Sequence, residues 1–341
     1  MTARFGQRLQ GLPGACNHRG GSVDFGMHGK PLIDTADAAP LVSVVMAVYR
    51  EFRFLDAAVG SILAQDFAQF ELIIVDDGNQ CDALFAALLA RDPRVRLVSH
   101  PVNRGHATAL NSGIAAARSD LIARMDQDDI AAPSRLGKQY QRFAQDPGLG
   151  LLGSDVQLMD MDGVPGRVQI MPHSDLAVRW IILFHCPFYH PTVMFRRALY
   201  EAAGGYRAAL ATSEDHYLWF DMLPHGRMAN IDAPLLQYRL NPTGMTAVHN
   251  TNPRGRTHAI RAQLWADIGL TYDLYDDALA GVISRFLRGH PIPVPHRPAA
   301  HAVLNRVLDA FLAAAPARKD AATIAQGESL AANLRGRMTL G

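Results

Sequence analysis

Between Leu121 and Arg135 the chain reads LIARMDQDDIAAPSR, an apolar run that ends in three carboxylates, Asp126, Asp128 and Asp129. Leu121 to Met125 has the character of a short buried strand, which places the acids at its carboxyl end. Side chains alternate along extended backbone, so Asp126 and Asp128 would leave the same face and could converge on one cation. Three like charges this close need a positive partner. A divalent ion holding a polyphosphate is one, since Mg²⁺ and Mn²⁺ prefer carboxylate and phosphate oxygens. An acidic loop that caps the next helix through Ser134 or Asp129 is the other reading of the same residues.

The second stretch with chemical content is TSEDHYLWFDML, Thr212 to Leu223. It reads as a helix capped by Thr212 or Ser213, with Glu214 and Asp215 in the first turn. Asp215 shares the spacing of Leu218, Trp219 and Met222, which aims it at the interior or a cleft, with Glu214 about a quarter-turn round. A helix N-terminus favours an ionised carboxylate, so Asp215 would stay able to accept a proton near neutral pH, as a general base must. An acidic first turn that only complements the helix dipole is the alternative.

The elements that must position these groups follow from the apolar pattern. LVSVVMAVY after Pro40 is a strand buried on both faces, and Phe54, Leu55, Ala58, Ile62 and Leu63 then recur at helical spacing. FELIIVDDG is a second such strand ending in Asp76 and Asp77. A helix over residues 81–90, a strand over 95–99 and a helix over 105–117 lead back to the acidic strand. Successive βα units of this length predict a doubly wound, mostly parallel sheet with right-handed crossovers. Ligands bind such sheets at the carboxyl ends of the strands, which puts Tyr49, Asp76, Asp77, Asp126 and Asp128 along one rim. Residues 149–171 read as two strands around the turn Asp162-Gly163, a mixed region laid against the first sheet. A helix over 175–184 and an aromatic strand after His190-Pro191 follow. His190 is a weak candidate, since a lone histidine is more often a packed one.

Composition narrows the class. The chain has 341 residues, 49% of them hydrophobic, enough for a real core. With 33 basic and 32 acidic residues the net charge is +1, and no nucleic-acid partner is expected. Cys16, Cys81 and Cys186 have neither zinc nor disulfide-scaffold spacing, which fits a reducing, cytoplasmic location. No segment has the apolar length of a signal peptide or membrane span. Residues 1–39 are expected to be a poorly ordered extension. The sequence holds no Walker-type phosphate loop, and no dinucleotide GxGxxG follows the first strand.

Taken together and in order, these motifs resemble family 2 glycosyltransferases of the GT-A fold. The resemblance rests on VSVVMAVYRE (Ser43–Glu51 within it), LIIVDDG, NRGHATALNSGIAAARSD, MDQDD, HPTVMFRR, GGYR and SED. It implies a GT-A domain over residues 40–250, with a nucleotide-binding half (40–130) and an acceptor-side half (131–250), followed by a helical region over 251–341. It further implies that Ala47, Val48, Tyr49 and Glu51 line the base and ribose pocket, and that Asp77 hydrogen-bonds the base of a uridine diphosphate donor. Asn103, Arg104 and Gly105 would close over the nucleotide. Asp126 would sit by the ribose and metal, Asp128 would ligate Mn²⁺ or Mg²⁺, and Asp215 would be the base of an inverting transfer. In the segment 235–250, Arg239 and His249 are weak candidates for reaching the diphosphate or metal, as Glu214 is beside Asp215.

The acceptor implied is a hydroxyl on a glycan, glycolipid or protein, most often in bacterial surface polysaccharide synthesis. QxxRW is missing, so single addition is expected rather than processive synthesis. The arginines of the C-terminal amphipathic helices are candidates for contact with another subunit or with the inner membrane face, in keeping with a peripheral location. Two rival readings stand beside this one. One is a non-catalytic subunit that binds a nucleotide-sugar or glycan. The other is a haloacid dehalogenase-like phosphatase with Asp160 of MDMDGV as nucleophile.

Overall fold

The computed structural model describes residues 39–210, 212–242, 253–272, 277–287, 290–314 and 321–340. The N-terminal extension up to residue 38 and His249 lie outside the described residues.

Strand β1 (Val42–Val48) is buried at every position because its two faces enter two cores. Val42, Val44, Met46 and Val48 pack with Leu55, Val59 and Ile62 of α1 (Leu55–Leu63) and Phe85 of α2 (Asp82–Leu89). Val45 and Ala47 pack on the other side with Ala109, Leu110 and Ile114 of α3 (His106–Ala116). A strand covered on both faces reads as a continuous apolar run, and this one does. β2 (Phe70–Asp77), β3 (Val95–His100) and β4 (Leu121–Arg124) complete the parallel half in the order β3-β2-β1-β4. Gly113 lets α3 lie close on this sheet, because a Cβ there would stand 2.5 Å from Val45 Cγ1 and 2.8 Å from Val75 Cγ2.

Beyond β4 the sheet is mixed. β6 (Leu149–Met159) is preceded by the short β5 (Ile130–Ala131) and α4 (Arg135–Gln145), and forms a hairpin with β7 (Pro165–Gln169). β8 (Met194–Arg196) joins β4 to β6 by antiparallel pairing. β9 (Arg227–Arg239) runs parallel to β6 and antiparallel to β5, and its length went unread in the sequence. The hairpin turn is as expected, with Gly163 at φ +84. Asp160 Oδ1 accepts from Asp162 N at 3.0 Å and Val164 N at 2.8 Å, so it is an exposed turn residue and not a nucleophile at the end of a first strand. The strand expected after His190-Pro191 is cut short. A 3-10 turn occupies His190–Thr192, where proline has no N–H for a ladder, and α6 (Arg197–Ala202) starts at the second arginine.

α5 (Asp175–Ile181) and α7 (Glu214–Met222) cover the α3 side of the sheet. The C-terminal helices α8 (Pro253–Asp267), α9 (Asp277–Leu287), α10 (Arg297–Ala314) and α11 (Ala321–Leu340) extend the same core. Trp180 meets Phe311 edge-on at 5.5 Å, Phe184 meets Trp265 at 6.1 Å, and Trp265 Nε1 donates to Leu183 O at 3.1 Å. No described helix is long and apolar enough to cross a membrane.

Candidate active site

The carboxyl ends of β1, β2 and β4 open on one rim. The loops at residues 49–52 and 78–80 border an open cavity of about 520 Å³ that Tyr49 and Glu51 help to line. Ala47 and Val48, expected beside them, are buried strand residues whose side chains belong to the two cores. Strand alternation takes them away from the cavity.

Asp77, expected to meet a nucleotide base, is 2% exposed and already engaged. Its Oδ2 accepts from Asn103 Nδ2 at 2.8 Å and Gly105 N at 3.0 Å, and its Oδ1 from Arg104 N at 2.9 Å, with His100 Nδ1 at 2.7 Å. These bonds use its acceptor capacity, so in this structure Asp77 acts by holding residues 103–105 at the rim. The loop lies directly on the end of β2. A Cβ at Gly78 (φ +82) would come within 2.3 Å of the Val102 carbonyl carbon.

The acidic residues do converge, but by a turn instead of by continued alternation, since the strand stops at Arg124. Ligating oxygens of Asp126, Asp128 and Asp129 lie within 4.8 Å of one another. Burial and the Asp126 charge push the Asp128 carboxyl up to about 6. Burial, then Asp126 and Asp128, push Asp129 well above the carboxylate range. The capping reading of these acids does not hold. Ser134 makes no side-chain cap to α4, and Asp129 Oδ1 instead accepts from Arg239 N at 2.8 Å. Asp129 Oδ2 is buried without a hydrogen-bond partner among the described residues. An all-oxygen set in which burial raises Asp128 and Asp129 and one buried oxygen is orphaned fits a hard divalent cation.

Arg124, which sequence reasoning passed over, sits at the centre. It is 3% exposed, pairs with Asp126, and its Nη2 lies 2.7 Å from His106 Nε2. An arginine inside an apolar strand was the available signal, because such a residue is buried only when paired. Arg239, in contrast, is spent on structure. Its Nε donates to Asp128 O at 2.9 Å, its Nη1 to Asp160 O and Met161 O, and its guanidinium stacks 3.9 Å over Phe54. It fastens the acidic turn to the β6–β7 hairpin.

On α7, Glu214 Oε1 lies 4.0 Å from His106 Nε2 and clusters with His190 as well. His190 Nε2 is 2.6 Å from Tyr206 Oη, and Tyr206 is moored to α3 by Asn111 through both its N–H and its carbonyl. Burial, then Arg124 and His106, hold His190 well below the usual histidine range, so it is neutral. Burial raises Asp215 above the ordinary aspartate range although its Oδ1 accepts from His216 N at 2.7 Å. The helix terminus was expected to keep it low, and desolvation outweighs the dipole here. Glu214 is pushed up to about 7 by burial and then by Asp215. Burial thus raises both carboxyls at the head of α7, which share the field of Arg124 with the acidic turn.

A curled, largely parallel sheet with an acidic turn after β4 and a carboxyl pair heading a facing helix defines a glycosyltransferase of the GT-A type. Residues 43–202 match the family model described as Glycosyl transferase family 2, and the chain belongs to that family. It is 32% identical over 207 residues to the O-antigen biosynthesis glycosyltransferase WbnJ of Escherichia coli, covering 59% of this chain and 80% of that one. It is 24% identical over 209 residues to WfgD of Escherichia coli, a UDP-Glc:alpha-D-GlcNAc-diphosphoundecaprenol beta-1,3-glucosyltransferase, covering 61% and 80%. Among solved structures, S. aureus TarS 1-349 in complex with UDP-GlcNAc has the same fold, with a TM-score of 0.53, 16% identity and coverage of 79% and 81%.

Proposed function

We infer that this glycosyltransferase moves one sugar from a nucleoside-diphosphate donor, UDP-linked, to a hydroxyl of a glycan or lipid-linked acceptor in bacterial polysaccharide synthesis, inverting the anomeric carbon. The observation that carries this reading is the convergence around Arg124 of the turn Asp126-Asp128-Asp129 and the pair Glu214-Asp215. The relative named for a UDP-Glc donor, a diphosphoundecaprenol acceptor and a beta linkage supports the donor and acceptor classes.

Asp126 and Asp128, with Asp129 beside them, would hold a divalent cation, Mn²⁺ or Mg²⁺, which would supply positive charge to offset that of a leaving diphosphate. Arg124 pairs with Asp126 and holds it in place. Asn103, Arg104 and Gly105, fixed by Asp77, cover the nucleotide, and Tyr49 and Glu51 take its base and ribose. Asp215 accepts the acceptor's proton. Its raised pKa brings its basicity closer to the operating pH, where general-base catalysis is most effective. In-line attack from the face opposite the diphosphate gives inversion. The anomeric configuration of the product, read by NMR coupling constants, tests this, and a retained configuration would overturn it.

A further inference from the structure

The loop after β1 is held by two amide side chains that come from different places. From the β2 side, Asn79 Oδ1 accepts from Arg50 N at 2.6 Å, and Asn79 Nδ2 donates to Val48 O at 2.9 Å and Asp76 Oδ1 at 2.7 Å. From the acidic turn, Gln127 Oε1 accepts from Tyr49 N at 2.9 Å, and Gln127 Nε2 donates to Glu51 O, with Arg50 O at 3.5 Å. Arg50 sits between these anchors at φ 55, a left-handed conformation that a non-glycine residue keeps only when its surroundings impose it. Gln127 is flanked in the chain by Asp126 and Asp128. The residue between two acids of the turn thus grips the backbone of the loop that lines the cavity.

We propose that Gln127 is a positioning residue that makes the nucleoside cavity and the acidic turn one unit, so that a divalent cation at the turn tightens nucleoside binding even without phosphate to touch it. This rests on the donor reading above. A cation drawing Asp126 and Asp128 together orders the backbone of Gln127, and its two hydrogen bonds carry that order to Tyr49 and Glu51. The coupling is reciprocal, so an occupied cavity raises cation affinity by the same factor. Asn79 anchors the same loop to Asp76 on β2, with no bond to the turn, and serves as the internal comparison.

The test is titration calorimetry on the full chain with UDP and with uridine, each with and without Mn²⁺, for wild type, Gln127→Met, Gln127→Ala and Asn79→Ala. In the wild type Mn²⁺ is expected to tighten uridine at least about fivefold. Gln127→Met keeps the length of the side chain and removes its hydrogen bonds. It is expected to weaken uridine by up to about tenfold and to abolish the Mn²⁺ factor. Asn79→Ala weakens uridine but keeps the factor. Thermal midpoints report folding, and Gln127→Ala replaces the methionine variant should that one unfold. A Mn²⁺ factor for uridine unchanged in Gln127→Met, absent in wild type, or equally lost in Asn79→Ala overturns the proposal. If wild type does not bind UDP with Mn²⁺, the donor reading fails and takes this inference with it. If UDP binds and only the uridine factor misbehaves, the inference alone fails.

Discussion

The proposed function gives Asp128 and Asp215 different tasks around one arginine, and substitution separates them. Asp128→Ala removes an oxygen from the candidate cation set, and Asp215→Asn removes the proposed base and leaves the turn intact. Both are expected to lower transfer by at least about a hundredfold. Calorimetry with UDP and Mn²⁺ is expected to show binding only in Asp215→Asn, and equal loss in both would contradict the division. His106 gives a prediction in pH. Burial and then Arg124 lower it from 6.5 to about 4. The unfolded chain therefore takes up a proton that the folded state resists. The neutral ring's contribution is fully present above pH 6.5 and is lost as pH falls toward about 4. Urea midpoints of wild type and His106→Gln, compared across that window, are expected to show the wild type losing ground only there. Parallel curves would mean that the ring titrates normally.

At the scale of elements, the contact of α3 with the sheet is set by the missing side chain of Gly113. A Cβ would meet Val45 at 2.5 Å and Val75 at 2.8 Å, closer than real contacts come. Gly113→Ala is expected to cost about 1–3 kcal/mol through overpacking. Gly336 in α11 is the comparison, since its Cβ would meet nothing within 4 Å. Gly336→Ala is expected to be neutral or to stabilise by up to about 1 kcal/mol, because alanine is the better helix former. Thermal or urea unfolding of the two variants checks the contrast. α3 carries His106 at its start and Asn111 on the Tyr206 segment, so its seat on the sheet also sets the distance from Arg124 to the α7 carboxyls.

At the scale of the molecule, the C-terminal helices share a core with the catalytic sheet. Trp265 is fully buried, touches Phe184 and Tyr272 edge-on, and bonds the Leu183 carbonyl. Trp265→Ala is expected to destabilise by about 3–5 kcal/mol. Calorimetry is expected to show the main transition of the whole chain moving down. A main transition that stays in place while a separate minor one shifts would mean that the helices fold apart from the sheet.

Sequence alone determined the parallel half of the sheet, the rim, the run of acids after β4 (though not its turn), the Asp162-Gly163 hairpin and the acidic start of α7. Each is written in local periodicity or turn chemistry, where a few neighbouring residues decide the outcome. Tertiary structure decided how those groups are used. The saturation of Asp77 by the 103–105 loop, the commitment of Arg239 to carbonyls of the hairpin and the staple from Gln127 to Tyr49 and Glu51 join residues 26 to 111 positions apart. So did the balance at Asp215, where burial by distant elements outweighed the helix terminus. The span of β9 and the shared core of the C-terminal helices were decided the same way. Hydrogen-bond partners and desolvation depend on what the fold brings near, and no local pattern encodes them.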